Sequence, residues 1–180
     1  MPSGHASWLL LWAVARTTAL HQITEGRDMR RERATKILSR ILATIDSGAV
    51  PVRIDQVWVF GSYACGALEP NDLDLIIIHE KMSEPLLIQL QAEATAKQVE
   101  FPRSLDYPDQ RYRGLITAPL RRPGERVDYL LGATIEEVLS GYPVVQRGPR
   151  IELWSPLSRD WRSAIAAIAI NPDAQRAARR

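Results

Sequence analysis

Cysteine is nearly absent from this chain of 180 residues, in which Cys65 is the single example. An intrachain disulfide and any zinc site built from several cysteines are therefore excluded. Histidine is also scarce: His5, His21 and His79 are widely separated, so a histidine-rich metal site is not expected. The scarcity of cysteine favours a reducing compartment, and we predict a cytoplasmic location.

Long apolar runs and a strong charge imbalance are missing as well. The apolar run Ser7–Ala15 is too short to span a bilayer, and its first basic residue, Arg16, follows the run rather than leading it as in a signal peptide. We therefore predict no membrane association and assign residues 1–28 to an N-terminal extension that forms a packed or interfacial helix. Met29 is an alternative native start. The net charge of +2 is too small to indicate a nucleic-acid binder from charge alone.

The remaining composition, with 46% hydrophobic and 24% charged residues, is typical of a globular protein with a sizeable core. The order of helix and strand patterns predicts a mixed α/β (α+β) fold, in which helices flank a small mixed sheet. We predict one domain over residues 29–171 and a flexible tail over residues 172–180. The predicted helices cover residues 28–47, 83–99, 134–139 and 160–170, and the predicted strands cover 53–60, 72–79, 126–131 and 151–154.

The first predicted helix has Asp28 as its N-cap and Gly48 as its stop. One face is aliphatic, and the other is basic and expected to be solvated. Residues 101–124 contain several prolines and arginines, and we predict that they form a long irregular segment.

Two aspartates interrupt the apolar strand predicted over residues 72–79. Asp72 and Asp74 are two positions apart, so they share one face of the strand. Such a pair alone more often marks a turn or a wet strand end. The strand over 126–131 repeats the pattern with Asp128, however, and pairing of the two strands would bring three carboxylates to one edge. Carboxylates this close repel each other unless a cation lies between them, and oxygen ligands suit Mg²⁺ or Mn²⁺. We therefore predict a platform for two metal ions that bridge the phosphates of a nucleotide.

A Gly-Ser turn precedes the acidic pair. Gly61 and Ser62 end the strand over 53–60 and lead into a short helical piece. Glycine allows the backbone to approach a phosphate closely, and the serine hydroxyl and nearby N–H groups can donate hydrogen bonds to it. This turn is the predicted phosphate-binding element.

Positive charge is also expected around the phosphates, because phosphoryl transfer builds negative charge there. The candidates are Lys81, which follows the second strand, Lys97 on the next predicted helix, and the arginines of residues 101–124, which are Arg103, Arg111, Arg113, Arg121 and Arg122. Among these arginines we select Arg111 and Arg113, which flank Tyr112. Tyr112 can stack on a base. The alternative is that this arginine-bearing segment is a solvated loop.

The stretch VFGSYACGALEPNDLDLIII, residues 59–78, resembles the signature of the DNA polymerase β-like nucleotidyltransferase superfamily, and more narrowly the minimal nucleotidyltransferases of bacteria and archaea. The resemblance extends to Asp128 but does not cover residues 1–28 or 100–124. It implies a polymerase β-like fold and metal ions held by Asp72, Asp74 and Asp128. It also implies that the Gly-Ser turn holds the triphosphate and that Asp128 helps to activate an acceptor hydroxyl. The implied reaction transfers a nucleoside monophosphate from an NTP, expected to be ATP, and releases pyrophosphate.

The resemblance leaves the acceptor open among a protein, an RNA and a small molecule. It makes a role in a toxin–antitoxin system plausible, with a HEPN-type protein or tRNA as the partner. Cys65 and Asn71 depart from the family pattern, because relatives often have arginine and serine at these positions. The Cys65 departure and the apolar run in the extension motivate an alternative, a non-catalytic module that keeps the fold and binds a partner or a nucleotide. A third hypothesis, an RNA-binding module without chemistry, rests on the scattered arginines.

Overall fold

A computed structural model describes residues 29–81, 83–96, 108–142 and 145–174. The predicted N-terminal extension, Asp28 and the last six residues of the predicted tail lie outside these ranges. None of the helices in the described ranges has the length and apolar character needed to span a bilayer. The elements in chain order are α1 (Arg31–Asp46), β1 (Ile54–Phe60), α2 (Gly61–Ala64), β2 (Leu73–His79), α3 (Glu84–Ala96), α4 (Pro108–Thr117), β3 (Val127–Gly132), α5 (Ile135–Gly141), a 3₁₀ turn (Val145–Arg147), β4 (Ile151–Trp154) and α6 (Trp161–Ala166).

Helix α1 forms because aliphatic residues recur at helical spacing and give it one apolar face. The buried residues are Ala34, Ile37, Leu38, Ile41, Leu42 and Ile45. Gly48 follows the helix with φ +72°, and its N–H donates to the carbonyl of Ile45 at 3.0 Å. The N-cap is Arg30, and its side chain makes no capping hydrogen bond. The prediction that Asp28 caps this helix is therefore wrong, since the helix begins three residues later.

The basic face of α1 is not simply solvated. Nη1 of Arg31 donates to the carbonyls of Tyr63 at 2.9 Å and Ala67 at 3.2 Å. Its guanidinium also lies 4.2 Å from the centre of the Tyr63 ring. Arg31 therefore fastens the segment around α2 to α1.

Residues near both ends of the described part of the chain form backbone hydrogen bonds with the loop of residues 66–70. The N–H of Met29 donates to the carbonyl of Pro70 at 3.0 Å, and the N–H of Asn171 donates to that of Gly66 at 2.9 Å. Gly66 has φ +91°, and a Cβ atom there would overlap the backbone of Asn171. Only glycine allows this close approach.

The four strands form one mixed sheet in the order β3-β2-β1-β4. Strand β1 pairs antiparallel with β2 and with β4, whereas β2 and β3 are parallel. The prediction of an α+β fold with a small mixed sheet is confirmed. Across the sheet, Phe60 of β1 is the register partner of Asp74 in β2, and Asp74 is the partner of Asp128 in β3.

The two faces of β2 pack differently. Leu73, Leu75 and Ile77 are fully buried in the large hydrophobic cluster that also contains the apolar face of α1. On the other face, Ile76 and Ile78 pack in a smaller cluster with Val138 of α5 and Val145. Asp72 and Asp74 belong to this second face by the two-residue period of a strand, near the point where β2 begins.

Residues 101–124 are not irregular throughout, because α4 occupies Pro108–Thr117. Pro108 is the first helical residue, where the missing N–H costs nothing. Leu115 and Ile116 bury that helix against the core, and Pro119 and Pro123 follow its end. The prediction counted prolines as breakers without using their positions relative to a helix start. Residues 101–107 lie outside the described ranges.

Candidate functional site

Three carboxylates meet at the edge of the sheet where β2 and β3 begin. Asp74 and Asp128 are register partners in this parallel pair, and Asp72 immediately precedes β2. One carboxylate oxygen from each of the three lies within 4.8 Å of the other two. The structure thus brings together the acidic residues that the strand pattern predicted to converge. Their role as metal ligands stays a prediction.

The electrostatics of this cluster favour a bound cation. Burial, together with the charges of Asp72 and Asp128, raises the pKa of Asp74 to about 7. Burial and the charge of Asp128 also raise the pKa of Asp72, although Arg126 opposes that shift. Each carboxylate is costly to ionise here because its neighbours are acidic. A divalent ion would remove that cost, and the carboxylate oxygens of Asp72, Asp74 and Asp128 are close enough together to hold one jointly. The residues therefore fit Mg²⁺ or Mn²⁺.

Gly61 lies against the acidic cluster. It has φ +70°, which favours glycine, and a Cβ atom there would overlap Oδ2 of Asp74. Any other residue at this position would displace that carboxylate. The glycine of the predicted phosphate-binding turn is thus required by its contact with Asp74, independently of any ligand.

Ser62 follows in the same turn and is half-buried. Its hydroxyl oxygen is buried and has no hydrogen-bond partner among the described residues. An unpaired buried hydroxyl is destabilising, because it has lost its hydrogen bonds to water. It is a donor available to a group placed beside the Gly61 turn.

A cleft of about 480 Å³ opens beside Asp72 and Asp128 on the β3 side of the cluster. Its lining includes three arginines, Arg121, Arg122 and Arg126, whose side chains are exposed. The other lining residues are Asn71, Asp72, Glu125, Val127, Asp128 and Tyr129.

Of the predicted cationic residues whose side chains the structure describes, neither Lys81 nor Arg113 lines the cleft beside the carboxylates. Lys81 is exposed and lies beyond His79, the last residue of β2. The seven residues from Asp74 to Lys81 span about 23 Å in an extended chain, so Lys81 is at the opposite end of the strand. Arg113 lies on α4 and is not among the residues that line the cleft. The side chain of Arg111 lies outside the described part of the chain.

Two of the arginines that line the cleft, Arg121 and Arg122, belong to the candidate arginines of residues 101–124 but were not selected as site residues, and Arg126 was not considered. A signal for Arg126 was present in the sequence, because it precedes Asp128 by two positions and so belongs to the same face of the chain. Arg121 and Arg122 reach the cleft through the turn that follows α4. No strand or helix period in the sequence indicates their position.

The chain matches no protein-family model, no curated protein and no solved structure in these comparisons. The function is therefore inferred from the residues and from their geometry.

Proposed function

We propose that this protein is a metal-dependent nucleotidyltransferase with a polymerase β-like fold. It transfers a nucleoside monophosphate from an NTP, expected to be ATP, to an acceptor hydroxyl. The observation that carries the proposal is the convergence of Asp72, Asp74 and Asp128 at one sheet edge, with the Gly61 turn against Asp74.

The proposed roles follow from position. Asp72, Asp74 and Asp128 hold Mg²⁺ or Mn²⁺, which when bound neutralises phosphate charge and favours ionisation of the attacking hydroxyl. The hydroxyl of Ser62 and the backbone at Gly61 donate hydrogen bonds to the triphosphate. Asp128 is the most exposed of the three carboxylates, and it is placed to accept the proton of the acceptor hydroxyl.

The reaction is an in-line displacement. The acceptor oxygen forms a bond to the α-phosphorus, and the bond from that phosphorus to the oxygen bridging the α- and β-phosphates breaks. Pyrophosphate leaves with the bonding electrons, and the hydroxyl proton passes through Asp128 to solvent.

Cys65 stands where the family pattern often has arginine, and Arg31 compensates for part of that difference. The family arginine would supply a basic group in the segment after the Gly-Ser turn. In this chain Arg31 holds the same segment from α1, through the carbonyls of Tyr63 and Ala67 on either side of Cys65. Arg31 of α1 therefore stabilises the segment around Cys65, which is one of the roles that an arginine at position 65 would have.

The proposal is tested first without an acceptor, by titrating Mn²⁺ and ATP into the protein and measuring binding calorimetrically. We expect binding that depends on the metal in the wild type and is weakened at least about tenfold in Asp74→Asn, since a charged ligand is lost. Asp55→Asn is the matched control, because Asp55 lies in β1 near Arg53 and away from the cluster. Metal-dependent ATP binding that is equal in the wild type and Asp74→Asn would overturn the proposal.

Transfer is then tested with α-labelled ATP, Mg²⁺ and acceptors that include tRNA, a HEPN-type protein and phosphorylated and unphosphorylated sugars. We expect label transfer to fall at least about a hundredfold in Asp72→Asn and in Asp74→Asn, and to persist in Asp55→Asn. ATP binding without transfer to any acceptor would instead favour the non-catalytic binding module. Transfer that survives both active-site substitutions would contradict the proposed site.

A further inference from the structure

The acidic edge has two different flanks. On the β1 side, Gly61 lies against Asp74. On the β3 side, the arginine-lined cleft touches Asp72 and Asp128, and neither Gly61 nor Ser62 lines it. If the triphosphate lies at the Gly-Ser turn, the cleft is the side from which an acceptor reaches Asp128.

Three acidic residues also line this cleft, Asp72 and Asp128 of the cluster and Glu125, but Glu125 does not pair with the arginines of the cleft. Glu125, which also lines the cleft, forms an ion pair with Arg40 of α1. Among the described residues, Arg121, Arg122 and Arg126 take part in none of the ion pairs. The three guanidinium groups therefore face a site whose carboxylates are the proposed metal ligands.

The turn that begins at Arg122, directly after Arg121, has a defined shape. The N–H of Glu125 donates to the carbonyl of Arg122 at 3.2 Å and closes a four-residue turn. Pro123 and Gly124 are its central residues, and Gly124 has φ +77°. Proline followed by a glycine of positive φ is the preferred sequence of a type II turn. The backbone at Arg122 is thus fixed by local chemistry.

Two arginines of helix α1 also bind the backbone at and next to this turn. Nη2 of Arg33 donates to the carbonyl of Gly124 at 3.2 Å. Nη2 of Arg40 donates to the carbonyl of Leu120 at 2.9 Å and to the carboxylate of Glu125. These contacts use the charges of α1 to hold the backbone on both sides of Arg121 and Arg122. Because the backbone around Arg121 and Arg122 is anchored, it has little freedom left to lose when a ligand binds. The conformational entropy cost of binding is therefore lower.

We infer that this cleft binds an acceptor that carries a phosphate group near its reactive hydroxyl, with Arg121 and Arg122 as the phosphate-binding residues. The inference rests on the proposed function and narrows its acceptor class. One guanidinium group can bind two oxygens of a phosphate through two parallel hydrogen bonds. Two adjacent arginines therefore suit either one phosphate or two successive phosphates. The same chemistry is present at the 3′ end of a nucleic acid and in a sugar phosphate.

The test compares two double variants of equal charge. Arg121→Gln/Arg122→Gln removes the proposed phosphate contacts. Arg53→Gln/Arg159→Gln removes two exposed arginines from a second groove of about 530 Å³ near the start of β1. Arg126 is left intact because it also acts on Asp72.

Binding is measured by fluorescence anisotropy on the metal-free protein, with a labelled single-stranded RNA of about eight nucleotides. We expect the cleft variant to lose at least about tenfold in affinity and the control variant to lose less than about twofold. The slope of log affinity against log salt should fall by about 1.4 for two lost phosphate contacts in the cleft variant. Competition with ribose 5-phosphate and with ribose then distinguishes the two phosphate sources. Competition by the sugar phosphate at low millimolar concentration indicates a small acceptor, and its absence indicates a strand end.

A kinetic measurement separates this inference from the proposed function. In the cleft variant, the KM for a phosphorylated acceptor should rise at least about tenfold while the KM for ATP stays within about twofold. An equal loss in both double variants, or a loss confined to ATP, overturns the inference and leaves the proposed function standing. Metal-dependent ATP binding that does not depend on Asp74 removes the proposed function, and the anisotropy result then decides whether the cleft is a phosphate site at all. Transfer to an unphosphorylated acceptor with equal efficiency also overturns the inference.

Discussion

At the scale of single residues, Asp74 combines a stability cost with the proposed function. It is half-buried beside two other carboxylates, and its pKa is raised from 3.8 to about 7. Folding therefore favours the protonated form. The stability associated with that proton is complete below about pH 4, the ordinary range of an aspartate, and is lost as the pH rises through about 7. The metal-free protein therefore carries most of this cost at pH 7 and all of it above about pH 8.

Asp74→Asn should therefore stabilise the metal-free protein in a pH-dependent way. We expect its advantage over the wild type in free energy of unfolding to be about 2 kcal/mol larger near pH 8 than near pH 4.5. That figure is about half of the value for the full shift, because solvent screens a half-buried group. Urea unfolding in the presence of a chelator measures the difference. Asp55→Asn is the control and should show no such trend, and a constant offset for Asp74→Asn across the pH range would contradict the explanation.

Gly61 allows the conformational and steric contributions of a glycine to be separated. Gly48 has nearly the same φ, +72° against +70°, but a Cβ atom at Gly48 meets no atom of the described part of the chain within 4 Å. Gly61→Ala and Gly48→Ala should each lose about 1 kcal/mol of stability from the left-handed backbone. Only Gly61→Ala should also displace Asp74 and weaken Mn²⁺ binding, by at least about tenfold. Unfolding curves and Mn²⁺ titration measure the two effects, and equal Mn²⁺ affinity in both variants would count against the contact.

At the scale of elements, the site depends on the register between β2 and β3 and on the turn anchored by α1. Arg40 makes the central contact of that anchor, since it binds both Leu120 and Glu125. Its side chain and that of Glu125 are largely shielded from solvent. Removing one partner of a shielded ion pair leaves the other charge uncompensated.

Arg40→Leu should consequently cost about 1–3 kcal/mol in free energy of unfolding and accelerate amide hydrogen exchange at residues 120–126. Arg53→Leu is the control, because its partner Asp55 is on the surface and such exposed pairs contribute about 0–1 kcal/mol. Exchange that accelerates equally across the whole chain would show that Arg40 supports the fold in general and has no specific effect on the turn.

The sequence predicted elements with a strong period and missed those that depend on tertiary contacts. The apolar face of α1 and the limits of β4 were predicted correctly, because helical spacing and a β-branched, aromatic run are local signals. The convergence of three aspartates also followed from strand period and pairing. Helix α4 was missed because Pro108 begins it, and prolines were counted without regard to helix position.

The sequence indicated arginines in residues 101–124 as candidates, but it could not show that Arg121 and Arg122 are the ones that line the cleft. Arg121 and Arg122 come to the site because Arg33 and Arg40, some 80 or more positions earlier in the chain, hold their turn. Such long-range contacts leave no local pattern. Lys81 was chosen for its closeness in sequence to the second strand. An extended strand separates residues along its length, however, so Lys81 lies at the end far from Asp74.

At the scale of the whole molecule, the sheet divides structural burial from the candidate chemistry. One face of β2 is fully buried in the large cluster around α1. The other face is covered by the smaller cluster with α5 and carries Asp72 and Asp74 where that cover ends. The large cluster can therefore supply stability while the acidic edge stays open to solvent and to ligands.

Residues near both ends of the described part of the chain meet at the loop of residues 66–70, and this has a practical consequence for circular permutation. Met29 and Asn171 each bond to that loop, so a short linker should be able to join them. New termini could then be opened in an exposed turn far from the carboxylates, such as the one around Gly48. In such a circular permutant, any domain fused at the new termini would emerge away from the acidic edge, whereas one fused ahead of Met29 starts next to it.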